Sequence, residues 1–166
     1  GIFGDGFDYE AVRSKRVELM DNYVEKNGIE VKSGAKELLS FLKENGYKVA
    51  LATATPTERA ERYLKAHDLY KYFDVTVSAS MVSVGKPAPD IYLKAAEMLG
   101  LSPQNCVALE DSPNGIKSAS SAGCVTVMVP DLDKPSNDII PLLHGVADGL
   151  SDVKRILREL EDCNIQ

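Results

Sequence analysis

Two adjacent carboxylates are the side chains of this 166-residue sequence with the clearest chemical potential: Glu110 and Asp111 directly follow the apolar run at residues 106–109. Like charges side by side repel, by several kcal/mol at ~4 Å in an effective dielectric of about 20. A hard divalent cation removes that repulsion, and Mg²⁺ prefers carboxylate oxygens. We therefore expect Asp111 and Glu110 to form a Mg²⁺ site. The alternative is that Asp111 only caps the helix that begins at Pro113.

A lysine held by rigid neighbours is the second candidate. Lys86 lies between Gly85 and Pro87, and Pro89 and Asp90 follow shortly after. Because proline fixes the backbone, the ammonium group should project from a stiff turn, where it could neutralise a phosphate. The alternative is an ordinary solvated loop lysine. We assign Asp90 to the N-cap of the following helix.

The third candidate is an anion site at Thr53 and Ala54, where the apolar run at residues 48–53 ends. A hydroxyl and successive amides lead here into a helix, whose first amides lack internal partners and can hold an anion. The sequence Thr55-Pro56-Thr57-Glu58 predicts a capping box at that helix. Taken alone, the motif favours a purely structural role, with Thr55 as the cap.

Apolar runs alternate with helical patterns along most of the chain. Strands are predicted at residues 48–53, 75–77, 106–109 and 125–129, and helices are predicted at residues 9–26, around 38–42, from Thr55, at 90–100, at 113–122 and after Ser151. This order predicts an α/β fold with a buried, mostly parallel sheet that is covered on both faces. Right-handed crossovers bring the carboxyl ends of the strands to one edge, where ligands bind. All three candidates therefore belong to one edge.

Composition narrows the class of function. A formal net charge of −6 argues against nucleic acid or an anionic membrane as the main partner, although a locally positive pocket could still bind a small phosphorylated substrate. Cys106, Cys124 and Cys163 fit no metal-ligand spacing. We interpret them as reduced thiols of a cytoplasmic protein, since no apolar run reaches the ~20 residues of a membrane span.

In this order, the three motifs resemble those of the haloacid dehalogenase-like superfamily, and within it the beta-phosphoglucomutase-like phosphatases. The resemblance rests on Thr53, on the segment Gly85-Lys86-Pro87-Ala88-Pro89-Asp90 and on the segment Leu109-Glu110-Asp111-Ser112-Pro113-Asn114-Gly115, and it covers nearly everything from Val31 onward. The lysine and Glu-Asp motifs are specific, whereas the threonine motif alone is weak.

This resemblance implies a Rossmann-like three-layer core over residues 31–166 and makes residues 1–30 a remnant of an inserted helical cap. Thr53 and the amide of Ala54 would hold the phosphoryl group, and Lys86 would offset its charge. Asp111 would bind Mg²⁺ with help from Glu110. The family's reaction is Mg²⁺-dependent phosphoryl transfer through an aspartyl-phosphate intermediate, which divides one displacement into two easier ones.

The sequence departs from the family at the nucleophile. Family members carry an apolar strand ending in Asp-x-Asp-Gly; the nearest match, Asp5-Gly6-Phe7-Asp8, follows no apolar strand, and we reject it. That strand belongs between the strands at 48–53 and 106–109, and Phe3 stands in too short a stretch to fill the place. We expect either a strand from outside residues 1–166, supplied by an N-terminal segment of the parent protein or by another chain, or a direct pairing that departs from the family. Without the motif, this chain alone should be inactive.

Three alternatives remain beside a phosphatase for a small phosphorylated metabolite such as a sugar phosphate. Asp21-Asn22-Tyr23 resembles a cap segment of the sugar-phosphate mutases, but Leu19 stands where their sugar-contacting lysine would be. A non-catalytic fragment or pseudoenzyme is favoured by the missing nucleophile and opposed by the intact lysine and carboxylates. A nicotinamide-binding domain is remote, because no G-x-G-x-x-G follows a strand.

Overall fold

The computed structural model describes residues 7–163, in two units whose boundary falls between Val31 and Lys32. The first unit contains helix α1 (Tyr9–Asn27), as predicted to within one residue. The Asp8 carboxylate caps it by accepting a hydrogen bond from the Ala11 amide at 2.9 Å. Asp8 therefore has a local structural role, whereas Phe3 and Asp5 lie outside the described residues.

The second unit alternates helices and strands, as the sequence predicts. Its elements are α2 (Ala35–Glu44), β1 (Ala50–Thr53), α3 (Thr57–Ala66), β2 (Val75–Ser78), α4 (Asp90–Leu99), β3 (Val107–Glu110), α5 (Pro113–Ser121), β4 (Val125–Met128), β5 (Gly145–Val146) and α6 (Val153–Cys163). Among the residues described, no helix has the length and apolar character needed to cross a bilayer.

All observed strand pairs are parallel. One sheet pairs β1 with β2, with Leu51 opposite Thr76, and the other has the order β3-β4-β5, with Leu109 opposite Val127. The strands predicted at residues 75–77 and 125–129 are β2, which pairs with β1, and β4, which pairs with β3. The two-residue strand β5 is not predicted by the sequence, because Gly145 and Val146 are too short a stretch to show a period.

Two layers of helices cover the strands. On one face, Leu38 of α2 and Leu157 of α6 pack with Val127 of β4. On the other face, Ile91 of α4 packs with Val77 of β2, and further residues of α4 and α5 continue that layer. This is the predicted arrangement, in which continuous apolar strands are buried on both sides.

The helix ends next to the site follow ordinary capping chemistry. Ser112 is the N-cap of α5, accepting from the Gly115 amide at 3.2 Å, and Pro113 occupies the first helical position. Gly100 ends α4 in the left-handed conformation, with φ of 67°. Because Ser112 is the cap, the alternative interpretation of Asp111 as the cap is wrong.

Two predicted helix caps are also wrong. Helix α3 begins at Thr57 with Pro56 as its N-cap and no side-chain cap bond, so the capping box starting at Thr55 does not form. The Thr55 amide instead donates to the Thr53 hydroxyl oxygen at 3.0 Å. Asp90 is the first residue of α4 rather than its cap, which is Pro89. The carboxylate still lies in the first turn, where the helix dipole favours it.

The two sheets do not join within residues 7–163, since β1 and β3 do not pair with each other. Of the two arrangements expected from the sequence, direct pairing of these strands is therefore wrong for the described part of the chain. A cavity of about 480 Å³, lined by Ala50, Leu51 and Ala52 of β1 and by Val107, Ala108 and Leu109 of β3, separates them.

Replacing Ile116 by alanine tests the core away from this cavity. Ile116 is fully buried with Met128 and Ile139, so Ile116→Ala should lower the free energy of unfolding by about 2–5 kcal/mol. Leu132→Ala is the matched control, because Leu132 is 95% exposed and its truncation should change stability by less than about 0.5 kcal/mol. Urea denaturation followed by circular dichroism measures both, and equal effects would contradict the described core.

Candidate active site

The carboxyl end of β1 places a hydroxyl and backbone amides next to each other. Thr53 is the last residue of β1, and its hydroxyl oxygen accepts from the Thr55 amide at 3.0 Å. That bond leaves the hydroxyl hydrogen able to donate to an incoming oxygen anion. The Ala54 amide follows directly. The geometry is compatible with the predicted phosphate contact at Thr53 and Ala54, which stays a prediction.

Lys86 connects the two sheets at their carboxyl ends. Its Nζ donates to the Ala52 carbonyl oxygen of β1 at 3.3 Å and forms an ion pair with Glu110, the last residue of β3. Only 20% of the Lys86 side chain is exposed, so it is not the solvated loop lysine of the alternative interpretation. The same ammonium group thus touches both strand ends that the sequence assigns to the site.

Glu110 has donors on both of its carboxylate oxygens. Lys86 and the Tyr92 hydroxyl donate to Oε1, and the Ser112 hydroxyl donates to Oε2 at 3.3 Å. The Glu110 side chain is 7% exposed, and a buried carboxylate needs this degree of compensation. The charge of Glu110 is therefore balanced by Lys86 in this structure, and a cation is not required to explain its burial.

Tyr92 is the neutral member of this cluster. Burial, reinforced by the adjacent Glu110 carboxylate, raises the pKa of the Tyr92 phenol far above its ordinary value. The Tyr92 hydroxyl therefore stays protonated at physiological pH and donates a hydrogen bond to Glu110. The Lys86 Nζ also lies 5.0 Å from the centre of the Tyr92 ring, within the range of a cation–π contact.

The lysine loop is attached to the helix that follows β3. Ser118 of α5 is fully buried, and its hydroxyl donates to the Ala88 carbonyl oxygen at 2.6 Å. The Ala88 amide closes a turn onto the Gly85 carbonyl oxygen at 3.0 Å. These bonds hold the residues around Lys86 against α5, so that the ammonium group is positioned by hydrogen bonds as well as by the prolines.

Asp111 differs from Glu110 because it is exposed at the edge. Among residues 7–163 there is no group of three or more His, Cys, Asp or Glu side chains that could hold a metal. This donor set does not fit a closed four-ligand site such as structural zinc. It does fit Mg²⁺, which commonly takes one or two carboxylates and completes its shell with water and substrate phosphate. Asp111 with Glu110 stays a prediction as the metal site.

Sequence reasoning missed Tyr92 and Gly115. Tyr92 gives no local signal, because its role depends on the approach of Glu110 from another strand. Gly115 does give a local signal, because it lies within helix α5. Glycine is unfavourable inside a helix unless a neighbouring group packs closely against the backbone. A Cβ atom at this position would overlap the Glu110 carboxylate. Gly115 therefore makes room for the Glu110 side chain.

Gly115→Ala tests this close approach. In an open helix the change to alanine would stabilise by about 0.5–1 kcal/mol. Here we expect a loss of about 1–3 kcal/mol, because the new methyl group displaces the Glu110 carboxylate. Gly149→Ala is the control, since nothing lies within 4 Å of its added Cβ. Denaturant titration of both variants decides, and stabilisation by Gly115→Ala would contradict the packing.

Tyr92→Phe tests the state of the phenol. The chain has seven tyrosines, and because the pKa of Tyr92 is raised by burial, its loss should leave the tyrosinate absorbance below pH ~11 unchanged. The raised pKa stabilises the fold below the ordinary value of about 10, and that stability is lost as pH rises above it. The Tyr92→Phe variant should therefore lose less stability at alkaline pH than the unmodified protein. A clear fall in the tyrosinate absorbance below pH ~11 would show that Tyr92 ionises normally.

Comparisons with known proteins indicate the family to which the chain belongs. A family model described as haloacid dehalogenase-like hydrolase matches residues 4–123. The chain is 40% identical over 124 residues to a phosphorylated carbohydrates phosphatase of Thermotoga maritima, covering 75% of this chain and 50% of that protein. It is also 40% identical over 97 residues to hexitol phosphatase B of Escherichia coli K12, covering 58% and 44% respectively. The chain thus spans about half the length of these curated relatives.

Solved structures share the fold. The structure of CbbY from Rhodobacter sphaeroides in complex with phosphate matches with a TM-score of 0.75 and 26% identity, over 89% of this chain and 67% of that one. The beta-phosphoglucomutase of Clostridium difficile matches with a TM-score of 0.70 and 25% identity, over 82% and 59%. With the family match over residues 4–123, the α/β core and its parallel strands place this chain among the haloacid dehalogenase-like hydrolases.

Proposed function

We propose that the full-length protein is a Mg²⁺-dependent phosphatase acting on a small phosphorylated metabolite, with a sugar phosphate as the preferred class. The substrate class is supported by the names of two curated relatives, phosphorylated carbohydrates phosphatase and hexitol phosphatase B. The free thiols of Cys106 and Cys124 support a reducing compartment such as the cytoplasm.

The position of Lys86 is the observation that carries this proposal. Its ammonium group lies between the carboxyl ends of β1 and β3, where a substrate phosphate bound at Thr53 would be. Phosphoryl transfer depends mainly on positioning and on stabilising negative charge. A buried cation held by Glu110, Tyr92 and the strand end costs no rearrangement when that charge develops.

The remaining residues also have roles in the proposal. The Thr53 hydroxyl and the Ala54 amide donate to the phosphoryl oxygens, and Lys86 compensates the charge that an attacking carboxylate brings. Asp111 supplies the main ligand to Mg²⁺, and Glu110 positions Lys86 while assisting at the metal. The ion, when bound, supplies Lewis-acid polarisation of the phosphoryl oxygens.

The nucleophile comes from outside the described residues in this proposal. A carboxylate attack with an aspartyl-phosphate intermediate needs an aspartate aimed at the phosphorus, and Asp8 is committed to capping α1. We accordingly propose that residues 31–166 are a core lacking its first strand and that residues 1–30 are a cap remnant. In this account the chain alone turns over no substrate.

A sugar-phosphate mutase is the second candidate, because a beta-phosphoglucomutase structure matches over 82% of this chain. The two activities differ in what receives the phosphoryl group, water or a second hydroxyl of the sugar. Product analysis with a single hexose phosphate separates them: inorganic phosphate indicates the phosphatase and an isomeric sugar phosphate the mutase.

Asp111→Asn in the full-length protein tests the metal site. The neutral amide is a poorer Mg²⁺ ligand, so phosphate release from hexose and hexitol phosphates should fall by about 10²-fold or more, and more Mg²⁺ should be needed for half-maximal rate. Folding should be unchanged, because Asp111 is exposed.

Asp133→Asn is the matched control, since it removes the same charge from an exposed residue outside the site. It should leave the rate and the Mg²⁺ requirement as they are. Full activity of Asp111→Asn, or of the unmodified protein in excess chelator, would remove Mg²⁺ from the proposed mechanism.

A further inference from the structure

The carboxyl end of β2 lies beside the proposed phosphate site. Ser78 is the last residue of β2 and stands opposite Thr53 in the parallel ladder. Ser78 is also fully buried. Because a buried hydroxyl without a hydrogen-bond partner costs free energy, the partners of Ser78 show which parts of the chain it holds.

Two hydroxyls contact the Ser78 side chain. The Thr57 hydroxyl donates to the Ser78 hydroxyl oxygen at 2.8 Å, and the Ser80 hydroxyl oxygen lies 2.8 Å from the same atom. A serine hydroxyl accepts and donates at the same time, so both contacts are compatible with each other. We call Thr57, Ser78 and Ser80 the hydroxyl chain. It connects the end of β2 to the start of helix α3.

The hydroxyl chain fixes a helix start that has no side-chain cap. Thr57 is the first residue of α3, and its N-cap, Pro56, makes no side-chain hydrogen bond. Helices commonly begin with a polar cap residue that binds the first turn. Here the hydrogen bond from Thr57 to Ser78 attaches the first residue of the helix to a neighbouring strand instead.

Ser78 thereby holds both ends of the segment that carries the proposed phosphate donors. We call this segment, residues 53–57, the phosphate turn. At its first end Thr53 is paired opposite Ser78 in the ladder, and at its last end Thr57 donates to the Ser78 side chain. Between them, the Thr55 amide donates to the Thr53 hydroxyl oxygen at 3.0 Å. One residue of β2 thus fixes both ends of the turn that contains Ala54.

The order of the phosphate turn matters for the proposed reaction. Donors that are already in place when negative charge develops stabilise it without rearrangement. Ala54 is exposed and its side chain is only a methyl group, so the packing of this residue does little to fix its amide. The hydrogen bonds at the two ends of the turn must supply that order, and a buried neighbour such as Ser78 is suited to this task.

We propose that Ser78 is a positioning residue of the phosphatase site. Through Thr57 it holds the phosphate turn, so that the Thr53 hydroxyl and the Ala54 amide bind one phosphoryl group together. Ser78 does not contact the substrate in this account, because its buried hydroxyl is engaged by Thr57 and Ser80. The inference rests on the proposed function and adds to it the residue that orders the phosphate donors.

Calorimetric titration of the full-length protein with inorganic phosphate, in the presence of Mg²⁺, tests the proposal. Ser78→Ala removes the acceptor of the Thr57 hydroxyl, so the dissociation constant for phosphate should rise about five- to tenfold, in the range expected for one lost hydrogen bond. The kcat/KM for a hexose phosphate should fall by at least the same factor. At saturating substrate, the Mg²⁺ concentration for half-maximal rate should not change, because Asp111 follows a different strand, β3.

Thr126→Val is the matched control. Thr126 is also fully buried, and its hydroxyl donates to the Cys124 carbonyl oxygen at 3.2 Å. This variant loses a buried hydroxyl, as Ser78→Ala does, but it loses it from β4 rather than beside the phosphate turn. The dissociation constant for phosphate should stay within about twofold of that of the unmodified protein, including when thermal unfolding shows lower stability.

Variants of Thr57 separate the hydrogen bond from other effects of Ser78. Thr57→Val removes the donor with little change in shape and should weaken phosphate binding as much as Ser78→Ala does. Thr57→Ser keeps the hydroxyl and should restore most of the affinity. In the double variant of Ser78→Ala and Thr57→Val the two effects should not add, because both changes remove the same bond. Full additivity would contradict the proposal.

Amide hydrogen exchange measures the order of the phosphate turn without activity or phosphate. Ser78→Ala should speed exchange at least tenfold at the Thr55 amide and at the Ala60 amide, which donates to the Pro56 carbonyl oxygen at 3.0 Å. The Asp74 amide donates to the Val49 carbonyl oxygen at 2.8 Å, before the start of β2. It should exchange as in the unmodified protein.

Further outcomes would overturn the role of Ser78. Unchanged phosphate affinity in Ser78→Ala is one, with or without faster exchange, because Ser78 would then only stabilise the fold. Unchanged exchange at the phosphate turn is another, and equal weakening of phosphate binding by Thr126→Val is a third. A full-length protein that binds phosphate but hydrolyses no sugar phosphate contradicts the proposed function alone. Weaker phosphate binding by Ser78→Ala would still support the positioning role in that case.

Discussion

The ion pair between Lys86 and Glu110 is the interaction on which the arrangement of the site depends. It is the described contact that ties the carboxyl end of β1 to that of β3, because the same ammonium group also bonds to the Ala52 carbonyl. Removing one partner of a buried pair leaves an uncompensated charge and costs about 3–5 kcal/mol. Tyr92 and Ser112 then complete the shell of Glu110, and the absence of a side chain at Gly115 gives that carboxylate its space.

The division of the strands into two sheets sets a second constraint. Helices α2 and α6 pack their apolar residues against the sheet that contains β3 and β4, and α4 packs against the sheet of β1 and β2. Residues of all three helices line the cavity between the sheets. The packing of these helices therefore depends on the distance between β1 and β3. The ion pair between Lys86 and Glu110 lies at the carboxyl ends of the strands, whereas apolar side chains line the cavity between them.

The sequence predicted the parts of this structure that depend on local pattern. Apolar runs located β1 to β4, and the prolines and glycines located the ends of most helices. Predicted element boundaries were wrong where a side chain forms a hydrogen bond with a backbone amide. The Thr55 amide bonds to the Thr53 hydroxyl instead of starting a helix, and the predicted strand at residues 48–53 loses its first two residues, since the Asp74 side chain takes the Val49 amide. The role of Tyr92 was not predicted, because its hydrogen-bond partner Glu110 lies 18 residues away in the sequence.

Charge balance at the site connects these contacts to the proposed chemistry. Lys86 is positive, Glu110 and Asp111 are negative, and the raised pKa of Tyr92 keeps that phenol neutral. Without a metal the cluster therefore carries one net negative charge, in a chain whose overall charge is −6. A phosphate dianion would be repelled by that field, and hydrogen bonds from Thr53 and Ala54 alone would have to overcome the repulsion. In the proposed mechanism a divalent cation at Asp111 would reverse the sign of this charge, so phosphate binding would be favoured only with the metal in place.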